Sequence, residues 1–128
     1  IEPRIARLAA TNISEKGIAQ LKESFDQMQT ASQKDAYEEF RMADRQFHHI
    51  LSSESGNDVL LMINTILMDL NFSSLWWQPV ERVYDIPIED HRIILNAIQS
   101  RNPDQAEKGM EKHLRDTWEL IQKKLEQE

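Results

Sequence analysis

The sequence predicts an all-α fold, an antiparallel bundle of about six helices. Two observations carry that reading. Apolar residues recur at spacings of three and four along most of the chain, with little alternation of period two. Only three Gly and four Pro occur among the 128 residues, a helix-rich balance. With 40% hydrophobic and 29% charged residues the composition is globular. A chain of 128 residues suits one domain, 1–128, able to bury roughly two thirds of its unfolded surface.

The first helix is expected from Ile1 to about Thr11, with Ile5, Leu8 and Ala9 on one side and Pro3 tolerated in the first turn. Asn12 and Ser14 break and cap, although Ser14-x-x-Gly17 lacks the acid of a full capping box. A second helix, Glu15 to about Thr30, carries Ile18, Leu21, Phe25 and Met28 at 3,4,3 spacing. The third, about Gln33 to Ser53, carries Tyr37, Phe40, Asp44, Phe47, His48 and Leu51. Ser55-Gly56-Asn57 ends it and caps a fourth, about Asp58 to Trp77, with Leu61, Ile66 and Leu70. Gln78-Pro79 and Pro87 define a connection, within which Leu75-Trp76-Trp77 reads as core or interface packing. A fifth helix, about Ile88 to Ser100, aligns His91, Ile94, Leu95 and Ile98. After the Asn102-Pro103-Asp104 turn, a sixth runs to about Lys124 with Ala106, Met110, His113, Leu114 and Thr117.

A net charge of −7, from 22 acidic and 15 basic residues, disfavours phosphate backbones and anionic membrane surfaces. No apolar run approaches the roughly 20 residues of a membrane span. The absence of Cys excludes disulfides and thiolate metal sites and suits a reducing cytoplasm. The chain opens without Met inside an apparent helix, so a segment of a longer protein is expected.

The chemistry is concentrated in four inward residues. Asp44 and His48, i and i+4, share a helix face, while the adjacent His49 points to the opposite, solvated side. His91 and His113 lie on the apolar sides of the fifth and sixth helices. Taken singly, an inward histidine is more often a core residue bonded to a backbone carbonyl. An inward Asp44 is costlier to bury alone, though Arg41 or Arg45 could pair with it. Three imidazoles and one carboxylate converging from three helices also form a plausible shell for Zn²⁺, Ni²⁺ or Mn²⁺. The residues alone leave both readings open. No His-Glu-x-x-His, Gly-rich phosphate loop, nucleophile elbow or paired Glu-x-x-His is present.

Five segments in order resemble one family. Asp44-Arg-Gln-Phe47-His48-His-Ile-Leu51 is similar to the D-x-x-F-H-x-x-L motif of the FCD domain. That domain is the C-terminal ligand-sensing part of FadR-type regulators in the bacterial GntR transcription-factor family. Ile1-Glu2-Pro3…Ala6-Arg7-Leu8-Ala9-Ala10 resembles its opening helix, and Ser55-Gly56-Asn57 its S-G-N turn. His91-Arg92-Ile93-Ile94…Ala97-Ile98 and Ala106…Met110…His113-Leu114 resemble its last two motifs. The resemblance covers essentially the whole chain and is closest to the shorter, six-helix VanR-like branch.

The resemblance implies a bundle around a central cavity, holding a divalent metal through Asp44, His48, His91 and His113 and a small organic-acid effector beside it. It also implies a cytoplasmic homodimer, with DNA read by an N-terminal winged helix-turn-helix outside this chain. Arg41, Arg45 and Arg92 lie near the motifs as candidate effector contacts or as surface ion-pair partners. On this reading the domain is no enzyme. The alternative is a small metalloenzyme, such as a hydrolase, whose open metal position activates water. It would need a spare general base, and none is evident.

Overall fold

A computed structural model describes residues 1–73 and 83–127. Among them are six α-helices: α1 (Glu2–Asn12), α2 (Glu15–Gln33), α3 (Tyr37–Ser53), α4 (Asp58–Ser73), α5 (Asp85–Gln99) and α6 (Pro103–Gln127). No strand occurs among the described residues. The predicted end of the fourth helix at Trp77, the Leu75-Trp76-Trp77 cluster and the Gln78-Pro79 break lie outside them.

Two predicted boundaries move, each for a local reason. The α2–α3 turn lies later than expected, because Asp35 adopts a left-handed φ of 54°. Asp35 N–H then donates to Ser32 O and Ala36 N–H to Ala31 O, which is a Schellman closure of α2. Asp tolerates that conformation better than most residues, but the sequence carries no Gly to announce it. Helix α5 begins at Asp85, so Pro87 lies inside its first turn rather than in the preceding connection. A missing N–H is harmless there, since first-turn donors have no intrahelical partner.

The cap of α2 is completed from a distance. Ser14 Oγ accepts from Gly17 N–H at 2.9 Å, as predicted. The acid missing from Ser14-x-x-Gly17 comes from Glu54, immediately after α3, whose Oε2 accepts from Ser14 N–H at 3.1 Å and whose Oε1 accepts from Ser14 Oγ at 3.1 Å. Gly17 makes room for it. A Cβ there would lie 2.5 Å from Glu54 Oε1 and 2.8 Å from Ile13 Cγ1.

The core is continuous across five helices. Ile5 and Ala9 of α1, Leu21 and Met28 of α2, Phe47 and Leu51 of α3, Ile94 and Ile98 of α5, and Met110 of α6 are all essentially inaccessible. Small residues set the close spacings: Ala6, Ala9 and Ala10 of α1 are fully buried where α1 packs on α6. The apolar side of the first helix is therefore spent on the bundle interior.

Helix α4 stands apart, packing on α3. Its buried Asn64 donates to Ser52 Oγ at 2.6 Å. Val59, Met62 and Ile66 lie about 140–160° round the helix from Asn64, at about 100° per residue, and each is more than half exposed. The expected inward roles of Ile66 and Leu70 are not met, because the face toward α3 carries Asn64 instead.

Candidate metal centre

Three helices bring the four inward polar residues to one point. The α3 stripe Phe40–Phe47–Leu51 turns Asp44 and His48 inward, and His49 is exposed. His91 of α5 and His113 of α6 meet them. One ligand atom from each of Asp44, His48, His91 and His113 lies within 4.8 Å of every other. His48, His91 and His113 are buried and Asp44 nearly so. Phe47 closes the core side of the cluster, its ring edge-on to His91 at 4.8 Å between centroids.

The outer nitrogens of the rings face acceptors. His48 Nδ1 donates to Glu2 Oε1 at 2.8 Å. His91 Nδ1 donates to the Pro87 carbonyl at 2.6 Å. His113 Nδ1 lies 3.5 Å from Asp90 Oδ2. A neutral imidazole with its proton on Nδ1 presents a bare lone pair at Nε2. Those inner atoms crowd together: His91 Nε2 is 2.7 Å and His48 Nε2 3.1 Å from Asp44 Oδ1, and the two Nε2 atoms are 3.3 Å apart. Lone pairs and a carboxylate facing one another repel unless a positive charge lies between them.

The electrostatics reflect that arrangement. Burial alone would raise the Asp44 carboxyl, but the facing His91 and His48 rings outweigh it and hold it well below the usual carboxylate range. Burial opposes charging of His48, yet Glu2 and Asp44 together raise it well above the ordinary imidazole value. Burial and the neighbouring His91 ring push His113 down. The donor set, three neutral imidazoles and one carboxylate with outer hydrogen bonds fixing the tautomers, fits a borderline divalent cation.

The three arginines sit differently. Arg41, one turn before Asp44, is mostly buried, with Glu38 at 3.8 Å. Arg45 pairs with Asp69 of α4. Arg92 pairs with Glu89 at 2.7 Å and lies over the Phe25 ring, 5.6 Å from its centroid.

Sequence reasoning passed over Glu2 and Asp90. Both follow the helical stripes: Glu2 precedes Ala6, Ala9 and Ile13, and Asp90 precedes Ile94 and Ile98 at intervals of four. An acid in line with a buried stripe was the available signal. Asp90 is 2% exposed and accepts from Lys112 Nζ at 2.9 Å. Burial would raise its carboxyl, but His113, Lys112 and Asp116 hold it at about 2.

Comparison with known proteins gives a consistent result. A family model described as "FCD domain" matches residues 1–116. The Uxu operon regulator of Haemophilus influenzae is 34% identical over 123 residues, covering 89% of this chain and 44% of that protein. The HTH-type transcriptional repressor NanR of Salmonella typhimurium is 26% identical, covering 96% of this chain and 48% of that protein. The chain spans about half the length of the curated relatives it matches. Among solved structures, Streptococcus agalactiae GntR superimposes with a TM-score of 0.68 at 26% identity, over 91% of this chain and 52% of the other. E. coli McbR/YncC shares the fold at a TM-score of 0.80 and 17% identity, over 96% and 63%.

Proposed function

This chain belongs to the FCD domain family, the effector-binding and dimerisation module of GntR-family transcriptional regulators, and we propose that it senses a small organic acid through a divalent metal. It is a regulator module rather than an enzyme, as the names of its relatives indicate. Asp44, His48, His91 and His113 would hold the ion, with Zn²⁺, Ni²⁺ and Mn²⁺ all suited to the donors. One observation carries the reading: every ring nitrogen on the outer side faces an acceptor, so the inner side is a converging set of lone pairs and one carboxylate.

When bound, the ion supplies a fixed positive charge and one or two open positions for an anionic oxygen. Arg41, sheltered one turn from Asp44, offers a second positive charge for the effector. Arg45 and Arg92 would contribute only after leaving Asp69 and Glu89. Glu2 ties His48 to the first turn of α1, so rotation of that ring is felt at the start of the chain. In the parent regulator, an N-terminal DNA-binding domain would read that change as a shift between two populations. The Val59, Met62 and Ile66 stripe of α4 is the surface proposed for pairing with a second copy in the cytoplasm. No helix among the described residues is long and apolar enough to cross a membrane.

The test is metal analysis of tag-free protein, followed by thermal-shift screening with dicarboxylates, citrate, lactate, sugar acids and aromatic acids. About one bound transition metal per chain, and an acid that raises the melting point only of the metal-loaded form, are expected. Protein that carries no metal and is indifferent to added Zn²⁺, Ni²⁺ and Mn²⁺ would leave a purely structural bundle.

A further inference from the structure

The outer hydrogen bonds of the three histidines are unequal. Those of His48 and His91 are closed at 2.8 Å and 2.6 Å. At His113 both partners are buried, Nδ1 and Asp90 Oδ2 each have no hydrogen-bond partner, and they lie 3.5 Å apart. A buried donor and a buried acceptor left unpaired at that separation are costly unless they pair with each other. The carboxylate is already fixed: its other oxygen accepts from Lys112 Nζ at 2.9 Å, and Lys112 is in turn held by Asp116 Oδ2 at 2.7 Å. Asp90 belongs to α5 and Lys112, His113 and Asp116 to α6, so the contact spans the interface of two ligand-bearing helices.

We infer that Asp90 is the positioning residue for His113. Its carboxylate, steadied by Lys112, fixes His113 in the Nδ1–H tautomer and so turns the Nε2 lone pair toward Asp44, His48 and His91. The inference rests on the metal reading above only for its consequence, the affinity. The tautomer itself is a property of the metal-free protein. Outer-shell partners of ligating histidines typically carry about 10–100-fold in metal affinity, and Asp90 is assigned that share.

The experiment compares wild type with Asp90→Asn, Asp90→Glu and Lys112→Met. In chelator-treated protein, long-range ¹H–¹⁵N spectra of the imidazoles report the His113 tautomer. Competition of Zn²⁺ or Ni²⁺ against a chromophoric chelator reports the dissociation constant. In wild type His113 is expected as the Nδ1–H tautomer. Asp90→Asn should mix the two tautomers and weaken the metal about 10–100-fold. Lys112→Met should do both to a smaller degree, and Asp90→Glu should restore the wild-type tautomer. A purely structural Asp90 would lower the melting temperature yet leave the tautomer untouched. An unchanged His113 tautomer in folded Asp90→Asn therefore overturns the inference, and if Asp90→Asn does not fold, an unchanged tautomer in Lys112→Met overturns it. A shifted tautomer in protein that binds neither metal would uphold Asp90 and reject the metal reading instead.

Discussion

Replacing Asp44 by Asn keeps the shape and one acceptor oxygen but removes the only negative charge among the four proposed ligands. A metal present at about 1,000 times its dissociation constant stabilises the folded chain by about 4 kcal/mol. For 128 residues the unfolding entropy near the midpoint is about 0.27 kcal/mol/K, at about 2.1 cal/mol/K per residue. The wild type should therefore melt about 15 °C higher when loaded than after chelation. Loss of a ligating charge should cost at least as much as loss of an outer partner, so on the order of 100-fold in affinity is expected. At the same metal concentration the variant would then sit at about 10 times its own dissociation constant. That leaves about 1.4 kcal/mol, a rise of about 5 °C. The assay is a pair of calorimetric melts for each protein, with chelator and with Zn²⁺ or Ni²⁺. Equal metal-induced shifts in wild type and Asp44→Asn would falsify the assignment of Asp44 as a ligand.

Three further outcomes follow from the geometry. Gly17→Ala should destabilise by about 1–2 kcal/mol despite Ala's higher helix propensity, because its Cβ displaces Glu54 from Ser14; in a Glu54→Ala background the loss should shrink, and denaturant melts of the four proteins would expose the reasoning if it did not. The raised value of His48 means that its protonated form contributes stability fully below its ordinary 6.5 and progressively less as pH rises through the higher folded value. Chelator-treated protein should thus lose melting temperature as pH rises above the ordinary imidazole value, while at the acid end stability falls again as the depressed Asp44 and Glu2 carboxylates are protonated; a melting temperature that does not fall on the alkaline side contradicts this. Ile66→Glu on the exposed side of α4 should shift the chain toward monomer in analytical ultracentrifugation without lowering its helicity, and an unchanged sedimentation profile would move the pairing surface elsewhere.

Much of the candidate site was legible because helical periodicity is blunt about direction. His48 and His49 are adjacent, yet only His48 is buried, and the apolar neighbours Phe47 and Leu51 said so in advance. What remained hidden is non-local or chemically ambiguous. Glu54 completes a cap 40 residues away, which no local capping pattern can announce. Asp35 takes a left-handed conformation without glycine, and Pro87 reads as a breaker until the first turn is placed around it. Glu2 and Asp90 were passed over although each is in line with a buried stripe, because the partner of each is a histidine on another helix.

The carboxylate of Glu54 makes the beginning of α2 and the finish of α3 a single cooperative unit. Fraying at either end is felt at the other: opening the first turn of α2 frees the Glu54 carboxylate, and unwinding the finish of α3 removes the acceptor of two Ser14 donors. Exchange of the Ser14 amide with deuterium therefore reports on a helix to which Ser14 does not belong.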